Sequence, residues 1–127
     1  MNPSRTILVI EDNLLNLKLV RDVLQHAGFT VVSAPTGEEG VVMATEQPPD
    51  LVLMDLQLPG ITGTEALRRL RSHPSSRSVP VVAVTAFAMR KDRELAKDAG
   101  FDGFVEKPIS TRALPAQVER FLEAGHG

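Results

Sequence analysis

A doubly wound α/β domain is the fold this chain predicts, and three observations predict it. Five short apolar, β-branched runs alternate with five stretches of helical spacing. The inner runs, LVLM and VPVVAV, are hydrophobic at nearly every position, as strands covered by helices on both faces must be. A length of 127 residues with 43% hydrophobic content suffices for one two-sided core and leaves no room for a second domain.

The elements follow in order. ILVI (7–10) is the first strand. After it Asn13 suits an N-cap, and Leu14, Leu17, Val20, Val23, Leu24 and Ala27 keep helical spacing up to Gly28, which suits the position just past a helix end. TVVSA (30–34) is the second strand. Thr36 with Glu39, and Thr62 with Glu65, have capping-box spacing, so helices start near Gly37 and Gly63 and stop before Pro48 and Pro74. Between these two helices runs LVLM (51–54), the third strand. A Ser- and Pro-rich loop (72–78) leads to VPVVAV (79–84), a fourth helix over 88–99 that ends at Gly100, and FDGFV (101–105). The last helix is expected over 111–124 after Ser110. Pro115 lies inside that span, where it would remove a hydrogen bond and crowd the preceding turn, so this helix starts late or bends. No repeat, low-complexity tract or linker interrupts the order.

Composition excludes several classes. Sixteen acidic and 14 basic residues give a formal charge of -2, which argues against a general nucleic-acid or anionic-membrane surface. Without cysteine there is no disulfide framework, thiolate metal site or thiol nucleophile. Residues 1–5 lead into a strand rather than a signal-peptide core, and no apolar run approaches the roughly 18 residues of a membrane span. The expectation is a soluble, cytoplasmic protein.

In an open parallel sheet, residues just past the carboxyl ends of the strands converge on one crevice. Here these are Glu11 and Asp12, Asp55, Thr85 and Lys107. Asp12 and Asp55 would be on adjacent strands if the order is 2-1-3-4-5. Two carboxylates about 4 Å apart repel by about 4 kcal/mol at an effective dielectric near 20, so the cluster must protonate or recruit a cation. Oxygen ligands without His or Cys select Mg²⁺ or a relative, and Mg²⁺ commonly shares a phosphate oxygen, which points to phosphoryl chemistry. Lys107 can supply the charge a transferred phosphoryl group needs. Each residue also has an ordinary alternative: Asp12 and Thr85 as helix caps, Lys107 as a solvated lysine. Asp55 fits such a role less well, because the LQLPG that follows it is a turn-forming loop.

EDN at 11–13, MDLQLPG at 54–60, VTA at 84–86 and EKP at 106–108 together resemble the receiver domain of two-component response regulators, over residues 6 to about 122. The resemblance implies a flavodoxin-like (βα)5 sheet in order 2-1-3-4-5. It implies that Asp55 takes a phosphoryl group from a histidine kinase or histidine phosphotransfer protein. Mg²⁺, with Mn²⁺ able to substitute, would be held by Asp12, Asp55, the Gln57 backbone carbonyl and, through water, Glu11. Lys107 would pair with the phosphoryl group, Thr85 would move to hydrogen-bond it, and Pro108 would follow a cis bond that aims Lys107 inward. Phe104 fills the aromatic switch position without the hydroxyl of a Tyr, so its rotamer would depend on packing alone. Leu14, Leu15 and Ile109 are the candidate docking contacts, ordinary core packing being the alternative. Helical geometry cannot bury both leucines equally well, so one of them should be exposed. Phe87 and Gln57 occupy positions that tune dephosphorylation, and a bulky Phe87 would shield the phosphoryl group.

Such a chain would be a switch rather than an enzyme, acting on a downstream protein effector, with no output domain after residue 125. A phosphorelay shuttle and a phosphorylation-independent adaptor are the alternatives. EDN with Asn16 and the TAFAM run also resemble receivers of hybrid histidine kinases, although Met1 favours a stand-alone chain. The fourth helix offers only Leu95 as a large branched apolar side chain, with Met89 and several Ala, so it should be lightly anchored and a candidate for a two-state shift.

Rival readings fit less well. A flavodoxin-like cofactor site needs backbone amides around a phosphate, which Glu11 and Asp12 would repel. The common Asp-nucleophile phosphohydrolases have Asp-x-Asp, whereas Gln57 follows Asp55 two residues on. There is no nucleophile elbow or P-loop, and His26, His73 and His126 lack metal-ligand spacing.

Overall fold

The structure is a computed structural model that describes residues 5–86 and 89–125. Its elements alternate as β1 (Thr6–Ile10), α1 (Leu14–His26), β2 (Thr30–Ala34), α2 (Gly37–Glu46), β3 (Leu51–Asp55), α3 (Gly63–Ser72), β4 (Val81–Thr85), α4 (Arg90–Ala99), β5 (Gly103–Glu106) and α5 (Leu114–Gly125). The five strands form one parallel sheet in the order β2-β1-β3-β4-β5. That is the expected flavodoxin-like, doubly wound arrangement.

Period-two alternation divides each central strand between two cores. Ile7, Val9, Leu51, Leu53, Val82, Val84 and Val105 face Val20 and Leu24 of α1 and Leu114, Val118 and Leu122 of α5. Leu8, Ile10, Val52, Met54, Val81 and Ala83 face Ala44 of α2 and Ala66, Leu67 and Leu70 of α3. Each fully buried Leu or Ile contributes on the order of 1.5–3 kcal/mol, which fixes the sheet and with it the positions of the strand ends.

The caps are those the sequence suggests. Asn13 Oδ1 accepts from the Asn16 N–H at 3.0 Å, Thr36 Oγ1 from Glu39 at 3.1 Å and Thr62 Oγ1 from Glu65 at 3.0 Å. Gly28 and Gly100 have φ of 101° and 105°, which L side chains rarely adopt, and each follows a helix.

Four elements start two or more residues later than expected. β4 begins at Val81 because Pro80 has no N–H and serves only as an acceptor, for Val52 N–H at 2.9 Å. β5 begins at Gly103. Phe101 instead closes α4, its N–H reaching the Ala96 carbonyl at 3.1 Å, and Asp102 binds Val81 with both backbone N–H and side chain. α4 begins at Arg90 after Met89, while Ala88, the expected start, lies outside the described residues. α5 begins at Leu114, not Thr111. Ser110 ties a separate turn through Ala113 and Leu114, so Pro115 falls in the first turn of the helix, where a missing N–H removes nothing.

Candidate functional site

The register assembles the site. β1 and β3 pair Ile10 with Met54, β3 and β4 pair Asp55 with Val84, and β4 and β5 pair Thr85 with Glu106. Glu11, Asp55, Thr85 and Lys107 therefore stand along one carboxyl edge of the sheet. The Lys107 N–H donates to the Thr85 carbonyl at 2.8 Å, which fixes the last of these positions.

Asp55 is buried, with 4% of its surface exposed. Its Oδ1 accepts from the Gln57 N–H at 2.8 Å and its Oδ2 from Lys107 Nζ at 2.6 Å. Burial opposes ionisation of Asp55, but hydrogen bonds from Glu11, Lys107 and Gln57 together hold its carboxyl below the ordinary value. Glu11 is displaced the other way. Burial first, then the hydrogen bond and charge of Asp55, push it up to about 7, against a smaller pull from Lys107 and the Asn13 N–H. Burial and the neighbouring Asp55 thus favour the protonated form of Glu11, while the donors around Asp55 favour its ionised form.

Asp12 is exposed beside them, and one carboxylate oxygen from each of Glu11, Asp12 and Asp55 lies within 4.8 Å of the others. Three oxygen donors with no nitrogen or sulfur suit a hard divalent cation such as Mg²⁺ or Mn²⁺. Asn13, not Asp12, caps α1, so the Asp12 carboxylate is left for the cluster. Thr85 is buried at 5% exposure, and the N-terminal turn of α4 is closed by Asp92 accepting from the Met89 N–H at 3.2 Å, so Thr85 is not that helix's cap. The Lys107–Pro108 bond is cis.

The remaining expected residues lie around this centre. Gln57 is exposed and joined to Asp55 through its backbone N–H. Phe104 is half-buried on β5, with the Arg93 guanidinium 4.9 Å from its ring centroid. A groove of about 240 Å³ runs between α4 and the sheet, with Gln57 and Thr85 in its wall as well as Leu95 and Phe104. Phe87 lies outside the described residues. Leu14 and Leu15 are both exposed, at 79% and 80%, where one of them was expected to be, and neither takes the alternative role of core packing. α1 packs on its core only from Leu17 onward, through Leu17, Val20, Val23 and Leu24, so its first turn has no apolar partner in either orientation. Ile109 is half-buried and packs partly on the core.

One residue was missed. Leu19, 45% exposed, lines a hollow of about 120 Å³ with Asn16, Lys107, Pro108 and Ile109. Its spacing of four from Leu15 was the available signal.

Sheet order and pocket define a class: a doubly wound α/β domain with an acidic, metal-competent crevice at the carboxyl ends of β1 and β3. The model of the response regulator receiver domain matches residues 7–119, and the chain belongs to that family. A polar-differentiation response regulator DivK of Brucella ovis is 39% identical over 120 residues, covering 94% of this chain and 92% of that protein. The receiver domain of sensor histidine kinase PA1611 from Pseudomonas aeruginosa PAO1, solved with a magnesium ion coordinated in its active-site cleft, superposes with a TM-score of 0.87 at 32% identity, over 95% of this chain and 99% of that one. The chemotaxis response regulator CheY4 of Vibrio cholerae shares the fold, with a TM-score of 0.88 at 24% identity over 94% of this chain and 99% of its own. Among the described residues no helix is long and apolar enough to cross a membrane.

Proposed function

We propose that this receiver acts in the cytoplasm as a phosphorylation switch, accepting a phosphoryl group on Asp55 from a histidine kinase or histidine phosphotransfer protein. The observation that carries the reading is a buried carboxylate with Lys107 Nζ at 2.6 Å and two further acids beside it. Attack by an Asp55 oxygen on phosphorus forms the acyl phosphate as the phosphorus–nitrogen bond of the donor histidine breaks. The electron pair returns to the imidazole, which takes up a proton.

Glu11, Asp12, Asp55 and the Gln57 carbonyl would hold a Mg²⁺ or Mn²⁺ ion, which supplies when bound the positive charge that offsets the phosphoryl oxygens. The chain's own groups do the rest. The Gln57 N–H orients one Asp55 oxygen, and Lys107 exchanges the carboxylate for a phosphoryl oxygen. Thr85 supplies a hydroxyl to the same group, and its movement with that of Phe104 changes the α4 and β5 surface that a downstream effector binds. Leu14, Leu15 and Ile109, with Leu19, form the apolar patch offered to the phosphodonor.

Intact-protein mass spectrometry with a small phosphodonor tests the acceptor. The expected result is a Mg²⁺-dependent gain of one phosphoryl group, labile to hydroxylamine and lost in Asp55→Asn. Addition that survives Asp55→Asn would refute the assignment. For docking, Leu15→Asp should slow transfer from the protein donor at least tenfold and leave labelling by the small donor intact; unchanged transfer from the protein donor would remove Leu15 from the contact.

A further inference from the structure

α4 (Arg90–Ala99) buries no residue. Its exposed ion pair, Arg90 with Glu94 at 3.3 Å, lies within the helix and ties it to nothing else. Toward the body of the protein it presents half-buried Asp92 and Ala96, and Asp92 is engaged by the Met89 N–H of the same helix. Leu95 is 60% exposed, and the groove between α4 and the sheet leaves about 240 Å³ without protein atoms. Beside the packing of the small Ala96 on the core, a cation–π contact crosses from the helix to the strand: the Arg93 guanidinium lies 4.9 Å from the centroid of the Phe104 ring on β5.

We propose that Arg93 is a positioning residue, a cation–π clasp that holds α4 against β5 and so sets how often the groove opens. A cation over an aromatic face is attracted by the ring quadrupole, and a guanidinium can stack flat on it as an ammonium cannot. In the unphosphorylated chain the ring is backed by the core built around Leu8, Ile10, Met54 and Leu67, on which Phe104 packs. The clasp therefore has one half backed by the core and one half on the exposed helix. Its effect on signalling rests on the phosphorylation reading above; its effect on α4 does not.

Amide hydrogen exchange of the unphosphorylated chain separates the two. Arg93→Ala should raise exchange across residues 93–99 by about two- to fivefold, the range expected for a partly exposed cation–π pair. That rise would run against propensity, because Ala is the better helix former and by itself would slow fraying. Phe104→Leu should have a similar effect, Arg93→Lys a smaller one, and Phe104→Tyr should retain the wild-type rate. The Arg93→Ala/Phe104→Leu double variant should add little to either single variant. Exchange in α3 serves as the folding control and should stay unchanged in Arg93→Ala. Fully additive single effects, or α4 exchange unaltered by Arg93→Ala, would overturn the clasp. Mass-spectrometric labelling of Asp55 is scored independently, so a chain that takes no phosphoryl group can still show the clasp, and the reverse.

Discussion

α3 and α4 are both ten residues long, both strongly amphipathic, and both packed on the same side of the sheet, yet one is firmly anchored and the other only lightly held. α3 turns Ala66, Leu67 and Leu70 inward, the two leucines each 1% exposed. Outside that face, Arg71 donates to the carbonyls of Val79 at 2.6 Å and Arg77 at 3.1 Å and to Asp102 at 2.7 Å, binding the helix to the start of β4 and β5. α4 turns inward only Asp92 and the small Ala96, both half-buried, and leaves Leu95 in solvent. Amphipathic spacing decides which face of a helix turns inward, but the size of the inward side chains decides how firmly it is held. The carboxylate pocket thus sits on a sheet whose central strands are buried throughout, beside a helix free to respond.

The widest separation should appear in core truncation. Leu67→Ala is expected to cost about 2–5 kcal/mol in denaturant unfolding, and Leu95→Ala to change stability by less than about 0.5 kcal/mol. If Leu95→Ala were equally costly, α4 would be packed after all and the contrast would fail.

A smaller effect comes from the pocket. Glu11 titrates near 7 in the folded protein and near its ordinary 4.5 when unfolded, so between those values the folded state binds more protons. Metal-free protein should therefore lose stability as pH rises from about 4.5 through about 7 and level off above, with Mg²⁺ restoring stability most at the upper end. Asp55, whose carboxyl is held low, acts below that window: its contribution is present above about 3.8 and is lost as pH falls further. Glu11→Gln should flatten the decline above 4.5. A wild-type stability profile already flat from 4.5 to 7 would show that folding does not raise the Glu11 carboxyl.

Much of this was legible because the important residues stand at strand ends. Parallel order and register bring Asp55, Thr85 and Lys107 to one edge once five β-branched runs are recognised, and Asn13, Thr36, Thr62, Gly28 and Gly100 mark their helix ends by chemistry that acts locally. What escaped depends on contacts distant in sequence. The exposure of both Leu14 and Leu15 follows from where α1 first meets the core. The raised Glu11 carboxyl follows from burial that no local pattern encodes and from Asp55, 44 residues away. The contact of Arg93 with the Phe104 ring joins two elements across a turn and leaves no periodic signature in the sequence.

The central claim is that a phosphoryl group accepted on a fixed pocket is read out by the lightly held helix. Hydrogen exchange of α3 and α4, compared between unphosphorylated protein and protein shown by mass to carry one phosphoryl group, tests it most directly. Protection across residues 90–99 should change while that of residues 63–72 stays unaltered. Equal changes in both helices, or a change confined to α3, would contradict it.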